Sequence, residues 1–219
     1  MSDVKVGWRE RPLGDSPRLD QIIDAAAVLF ARNGYAATGV AELCDAVGLG
    51  RGSLYHYIDS KERLLADIHA RVMTELLTTA EDISTLDAPP AARLRLLSAD
   101  LIRVITRYPD HVWVLLHEWQ ALTGDLAADF RSRRRNYEHL VESVLTAGAD
   151  AGVFRISDPR LAVMAWLGMH NSVYQWYRPG GHARPAQIAN HFHQLFIDGI
   201  APPGTTRPVT VPGHRGLAR

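Results

Sequence analysis

Residues 38–61 read TGVAELCDAVGLGRGSLYHYIDSK, and the spacing inside this stretch decides the fold. Val40, Leu43, Cys44 and Val47 recur at three- and four-residue intervals, the period of a helix with one apolar face. Gly48-Leu49-Gly50 breaks that helix, and a second, Arg51 to Ile58, carries Leu54 and Ile58 four apart on its inner side. Glycines at 48 and 50 suit a tight turn between two helices that cross steeply. Thr38 is the expected cap of the first helix, where a hydroxyl accepts from the free N–H groups of the opening turn. Asp59-Ser60 caps a longer helix from Lys61, with Leu64, Leu65, Ile68, Val72 and Leu76 at helical spacing.

Upstream, Leu19, Ile22, Ile23, Ala26, Ala27, Leu29 and Phe30 form an apolar stripe that Asn33-Gly34 ends. Downstream, the apolar period predicts helices over 91–106, from Pro109 through Trp119 to the break at Gly124, over 125–148, from Asp158-Pro159 to about Trp176, and over 185–200. A surface loop, 148–159, holds an apolar island at Val153, Phe154 and Ile156. No strand pattern and no internal repeat stand out. The fold class expected is all-α, with a flexible arm at 1–17 that holds Trp8. A three-helix unit over 18–78 contains the helix-turn-helix at about 39–58, a second helical domain spans 79–200, and a flexible Pro/Gly-rich tail covers 201–219. The long helix near 61–83 joins the two parts.

Composition bounds the function. The 219 residues hold 24 Lys/Arg and 24 Asp/Glu, which excludes a polyanion coat and an acidic disordered tail. Cys44 is the single cysteine, so no intramolecular disulfide forms and a reducing cytoplasm is the expected compartment. The longest apolar stretches, such as VWVLL at 112–116, fall far short of the roughly 20 residues a membrane helix needs, and no signal peptide is expected. Phosphate-loop, HExxH and GxSxG motifs are absent. No metal, cofactor or catalytic residues are therefore expected; His191 and His193, two apart on a helix, diverge.

A helix-turn-helix reads DNA by laying its second helix in the major groove while neighbouring elements hold phosphates. In RGSLYHYI, Arg51 can donate to a guanine edge or a phosphate, Ser53 can donate or accept, and Tyr55 offers a hydroxyl and a flat ring. Gly52 lets backbone approach backbone, and His56 and Tyr57 flank the same faces. Lys61 and Thr38, at helix starts, are placed for phosphates. The same side chains also suit ordinary surface or interdomain packing, and such motifs occur in proteins that never touch DNA. Residues 1–70 carry eight Lys/Arg against ten Asp/Glu, so binding would depend on a few aimed contacts rather than a positive face.

The motif residues resemble those of the TetR family of bacterial transcriptional regulators. The resemblance runs from Leu29–Tyr35 (LFARNGY) through Thr38 with Leu43 and Gly48-Leu49 to Gly52–Glu62 (GSLYHYIDSKE) with Leu64 or Leu65. Tyr57 stands where His is commoner and Ile58 where Phe is commoner. The resemblance implies a homodimer that binds a near-palindromic double-stranded DNA operator, usually as a repressor released by a small molecule. It places effector binding and dimerisation in residues 79–200. It points to a four-helix interface from about 159–177 and 185–200; there Leu161, Met164, Ala165, Gly168 and Ser172 include small residues that allow close packing and Ile188, Phe192, Leu195 and Phe196 form an apolar stripe, features that equally suit the core of a monomer. VYQWYRPGG at 173–181 and HFHQLFIDGI at 191–200 narrow the resemblance to regulators of fatty-acid, steroid or other lipid catabolism, several of which respond to acyl-CoA thioesters.

For the effector, the expected pocket pairs rings with imidazoles one turn apart, Trp113 with His117 and Trp166 with His170, although such rings also fill cores and each histidine also suits a satisfied structural role. Met73, Leu77 and Leu101 would add apolar wall. Arg131, Arg133, Arg134 and Arg135 suit phosphates at a pocket mouth or a solvated helix face. The rival readings are an enzyme in the second domain, or an interaction protein whose helix-turn-helix binds protein instead of DNA.

Overall fold

The computed structural model describes residues 16–200, and every regular element among them is helical. The Ser16 hydroxyl accepts from the Leu19 N–H at 3.3 Å, and Pro17, whose fixed φ suits a first turn, opens α1, Pro17–Asn33. The helix thus starts inside the stretch expected as an arm. Residues 1–15, with Trp8, and the tail 201–219 lie outside the described residues. Ile22, Ile23, Ala26, Ala27 and Phe30 form the buried side of α1.

Next come α2, Val40–Val47, and α3, Arg51–Tyr57. Between them Gly48 sits at φ +63°, a left-handed backbone that other residues resist, and its N–H and that of Leu49 close back onto the Asp45 and Cys44 carbonyls. Gly50 has φ −70°, so the turn needs one glycine for its backbone, not two. The Ser60 hydroxyl then accepts from the Arg63 N–H at 3.0 Å and starts α4, Lys61–Ser84. Residue 78, the expected domain boundary, falls inside this unbroken helix.

The second half holds α5, Pro90–Arg107, α6, Pro109–His117, α7, Gly124–Asp150, α8, Pro159–Asn171, α9, Val173–Trp176, and α10, Pro185–Ile200. Two expected helices prove to be broken. The segment from Pro109 leaves the helix at Glu118 and continues as a short 3-10 turn over Trp119–Ala121, while the Glu118 carboxylate accepts from the Tyr35 N–H at 3.2 Å. The segment from Pro159 is interrupted at Ser172, whose hydroxyl donates to the Met169 carbonyl at 2.9 Å and competes with the helical ladder. The apolar island folds back onto α7. A Cβ at Gly148 would stand 2.0 Å from the Phe154 ring, so only glycine lets Phe154 seat there.

The centre of the molecule is α4, packed on α1 and α6 and on α5 and α7, while α10 lies along α5 and α8 along α7. One hydrophobic core runs through both halves. The halves are also pinned by polar contacts. Arg71 of α4 pairs with Asp20 and Asp24 of α1, the His111 Nε2 of α6 lies 3.1 Å from the same Asp24, and the Thr123 N–H and hydroxyl donate to Glu62 at 2.7 and 2.9 Å.

Candidate functional site

The short helix α3 is held from below by Leu54, with Ile58 just past its end, 0% and 1% exposed. That anchorage leaves Arg51, Gly52, Ser53, Tyr55 and His56 outward, with Tyr57 half-buried and its ring edge-on to His56 at 5.6 Å. The Arg51 guanidinium lies 6.0 Å from the Tyr55 ring, so the two share one patch. A Cβ at Gly52 meets nothing within 4 Å. Nothing among the described residues therefore demands glycine at 52, and the room it leaves is on the outer side.

Thr38 and Lys61 occupy places other than those their spacing predicts. Gly39 is the residue that precedes α2, and Thr38 is buried, its hydroxyl donating to the Gly34 carbonyl at 2.9 Å. The backbone of 34–39 turns before the helix begins, so the hydroxyl meets an inner carbonyl instead of capping. Lys61 folds its ammonium inward. Nζ donates to the Tyr35 and Thr38 carbonyls at 2.6 and 2.7 Å and lies 4.3 Å over the Tyr35 ring. Burial lowers its pKa, with Glu118 pulling the other way. Two of three donors are used on the α1–α2 turn, which makes Lys61 first a clasp that ties α4 to that turn. Arg18, Arg63 and Arg71 are likewise engaged, on the Val47 carbonyl, on Asp67 and on Asp20 with Asp24.

Between α4, α5, α6, α7 and α8 lies a cavity of about 800 Å³. Its inner wall is aliphatic, including Met73, Leu76, Leu101, Ile105, Val112 and Val163, and Tyr137 reaches it from α7. The rim is charged: Arg134, Arg135, Glu138, His139 and Glu142 of α7, with Arg160 of α8. Arg134 is tied to Glu138 at 3.0 Å. Arg135 and Arg160 are exposed at the rim.

Of the expected pocket residues, Met73 and Leu101 line this cavity and the others do not. Leu77 borders a shallow polar groove on the other side of α7. Trp113 and His117 stack at 4.5 Å on the outer side of α6, where His117 meets the Tyr174 hydroxyl at 3.2 Å. Trp166 and His170 are fully buried: His170 Nδ1 donates to the Trp166 carbonyl at 2.8 Å, and Nε2 lies 2.6 Å from the Ser98 hydroxyl. Burial drops the His170 pKa to about 4, the carbonyl bond opposing it, so its imidazole is a neutral clasp between α5 and α8. One-turn spacing brought each pair together but could not say which side of its helix faced the cavity. Within the arginine run, Arg134 and Arg135 reach the rim, while Arg133 binds Asp129 and Thr74.

Known proteins share this architecture over nearly the whole chain. Residues 22–68 match the family model for bacterial regulatory proteins of the tetR family, and residues 87–200 the tetracyclin repressor-like C-terminal domain. The HTH-type transcriptional repressor KstR2 of Rhodococcus jostii (strain RHA1) is 30% identical over 197 residues, 87% of this chain and 94% of the relative. The chain belongs to the TetR family. Among solved TetR-family structures, the ketosteroid transcriptional regulator KstR2 of Mycobacterium tuberculosis superposes with a TM-score of 0.79 at 27% identity, covering 86% of this chain and 96% of that one. AibR in complex with isovaleryl coenzyme A and operator DNA superposes with 0.73 at 30% identity, covering 81% and 97%.

As a TetR-family member the chain is a transcriptional regulator with a helix-turn-helix, not an enzyme. No described helix is long and apolar enough to cross a membrane. Of the residues expected at a dimer interface, Leu161 and Met164 on α8 are 61% and 63% exposed, beside exposed Ala165 and Gly168, and Leu195 on α10 is 54% exposed. Ser172, Phe192 and Phe196 are half-buried. Ile188 is corrected: it is buried inside the protomer.

Proposed function

We propose that this TetR-family regulator is a homodimeric repressor that holds operator DNA through α3 of each protomer. It lets go when a coenzyme A thioester with a lipid-like acyl group enters the cavity. The observation that carries the effector class is the pairing of an aliphatic chamber of about 800 Å³ with a rim bearing three arginines. An acyl group loses water in the chamber, and the phosphates of the coenzyme meet guanidinium groups that bind them in matched geometry. AibR supports this reading through its isovaleryl coenzyme A and operator DNA, and the KstR2 relatives add the steroid side of lipid chemistry.

The dimer is supported by the stripe Leu161, Met164, Ala165 and Gly168 together with Leu195. Apolar surface gathered on adjacent helices is costly in water, and a two-fold partner covers it with the same surface. Met164 and Gly168 belong both to this stripe and to the cavity lining, so the second protomer sits beside the mouth. On the DNA side, Arg51, Ser53, Tyr55 and His56 face bases or phosphates, Gly52 admits the backbone, and Tyr57 and the third donor of Lys61 serve the flanking phosphates. Its place of action is the cytoplasm, with the DNA.

The experiment is a fluorescence-anisotropy titration of the protein on the palindrome upstream of its own gene, repeated with a chain-length series of CoA thioesters. A thioester that releases the DNA, with light scattering showing two protomers per complex, is the expected result. Thioesters that leave the complex intact while other hydrophobic compounds dissolve it would remove the acyl-CoA reading.

A further inference from the structure

Across α7 from the chamber, an open groove of about 620 Å³ runs between that helix and α4. Arg135 and His139, one turn apart and both exposed, line the groove and the chamber alike, so the two hollows meet over the crest of α7. Their characters differ. In the groove Arg133 is spent on Asp129 and Thr74, and Glu81 lies 3.5 Å from the Asn136 amide. What it offers a ligand is mostly neutral: the exposed hydroxyls of Thr78 and Ser132 and the Asn136 amide, beside buried Leu77. At the crest between the two hollows, Arg135 makes no hydrogen bond or ion pair with another described residue.

We infer that the groove between α4 and α7 is a nucleoside subsite, which takes the adenosine of a coenzyme A thioester whose acyl arm fills the chamber. This rests on the acyl-CoA reading and extends it to a second site. The chamber wall is largely aliphatic, and a ribose and an amino-purine placed there would lose water without gaining partners. The groove supplies them: hydroxyls and an amide for the ribose, and the Glu81 carboxylate for the amino edge of the base. The diphosphate that joins adenosine to the acyl arm is the part that crosses the crest, and the Arg135 guanidinium meets it there with paired N–H donors.

The test is calorimetric titration of the full chain with decanoyl-CoA and with decanoyl-4′-phosphopantetheine, which keeps the acyl arm and one phosphate but lacks adenosine. Decanoyl-CoA should bind at least about tenfold more tightly. Ser132→Ala with Asn136→Ala removes two partners that line the groove and not the chamber. This double variant should weaken decanoyl-CoA about tenfold, the worth of two modest hydrogen bonds, and leave decanoyl-phosphopantetheine within about twofold. Both positions are exposed and alanine favours a helix, so the melting temperature should not fall. Equal affinities of the two thioesters for the unaltered protein would overturn the inference, because the adenosine would then stay in solvent, and would leave the acyl-thioester reading standing. Undiminished decanoyl-CoA binding by the double variant would overturn it too, since the adenosine would then lie elsewhere. So would an equal loss for both thioesters, which would assign the groove residues to the rim or the shape of the chamber. Failure of both thioesters to bind the unaltered protein would remove the inference and the acyl-CoA reading together.

Discussion

Under α3 the protein is packed shut: Phe30, Leu43, Leu54 and Ile58 are each at most 1% exposed, and the functional side chains stand on that floor facing out. Between α7 and α8 it is left open, with a chamber of about 800 Å³. The first region is finished by its own sequence and offers a fixed surface. The second is a core that lacks part of its filling, and a ligand that supplies it shifts the balance between conformations. Cavities of this kind cost stability, because wall atoms lose close neighbours, and a binding site is the use that offsets the loss. What lies between the regions decides whether one can inform the other. There α6 supplies Val112, Leu115 and Leu116 to the chamber, while its ends reach the DNA-binding half through His111 and, just past the helix, Glu118.

The strongest way to break this contrast is to fill the chamber. Leu115→Trp should weaken the best thioester on the order of a hundredfold by occupying its space, while operator affinity and melting temperature change little. A parallel loss of DNA binding, read by anisotropy, would show that the two ends are not separable. Next in size, Arg51→Ala with Tyr55→Ala should cost roughly 1–3 kcal/mol of operator affinity for each contact that reads a base, and leave thioester titrations unchanged.

Lys61→Met separates a clasp from a phosphate contact. Orphaning the Tyr35 and Thr38 carbonyls should cost about 1–3 kcal/mol, a fall of roughly 2–4 °C in melting temperature per kcal/mol. A pure phosphate contact would instead leave melting untouched and lower the salt slope of DNA binding by about one. The smallest effect expected is with pH. Burial holds His69 to about 3 and both His111 and His170 to about 4, each below the ordinary 6.5. The unfolded chain therefore takes up protons first as pH falls. Their contribution is full above about 6.5 and is lost progressively toward pH 4 and 3, so melting temperature should decline across that window. All three lie outside the helix-turn-helix, so a variant changed only on the α3 surface should show the same decline, and a decline that vanished there would contradict this assignment.

The helix-turn-helix was legible because its information is local. Periods of three and four place Leu54 and Ile58 inward, and once they are inward Arg51, Ser53 and Tyr55 have nowhere to face but out. What was not legible in this region lies where the chain turns in space: Thr38 meets an inner carbonyl across a bend, and Lys61 reaches back 26 and 23 residues to Tyr35 and Thr38. The effector half was less legible for the same reason on a larger scale. Trp113 with His117 and Trp166 with His170 were rightly paired by one-turn spacing, but one pair lies on the surface and the other in solid core. Ile188 and Leu195 share an apolar stripe on α10, yet one packs inside the protomer and the other faces out.

By itself, then, the sequence determined the helices, their apolar faces and the outward face of α3, since backbone period and side-chain polarity act between near neighbours. Only the tertiary structure decided where five helices fail to meet and which arginines gather at the resulting mouth. A cavity is a property of the space between elements, and residues far apart in the chain set its walls.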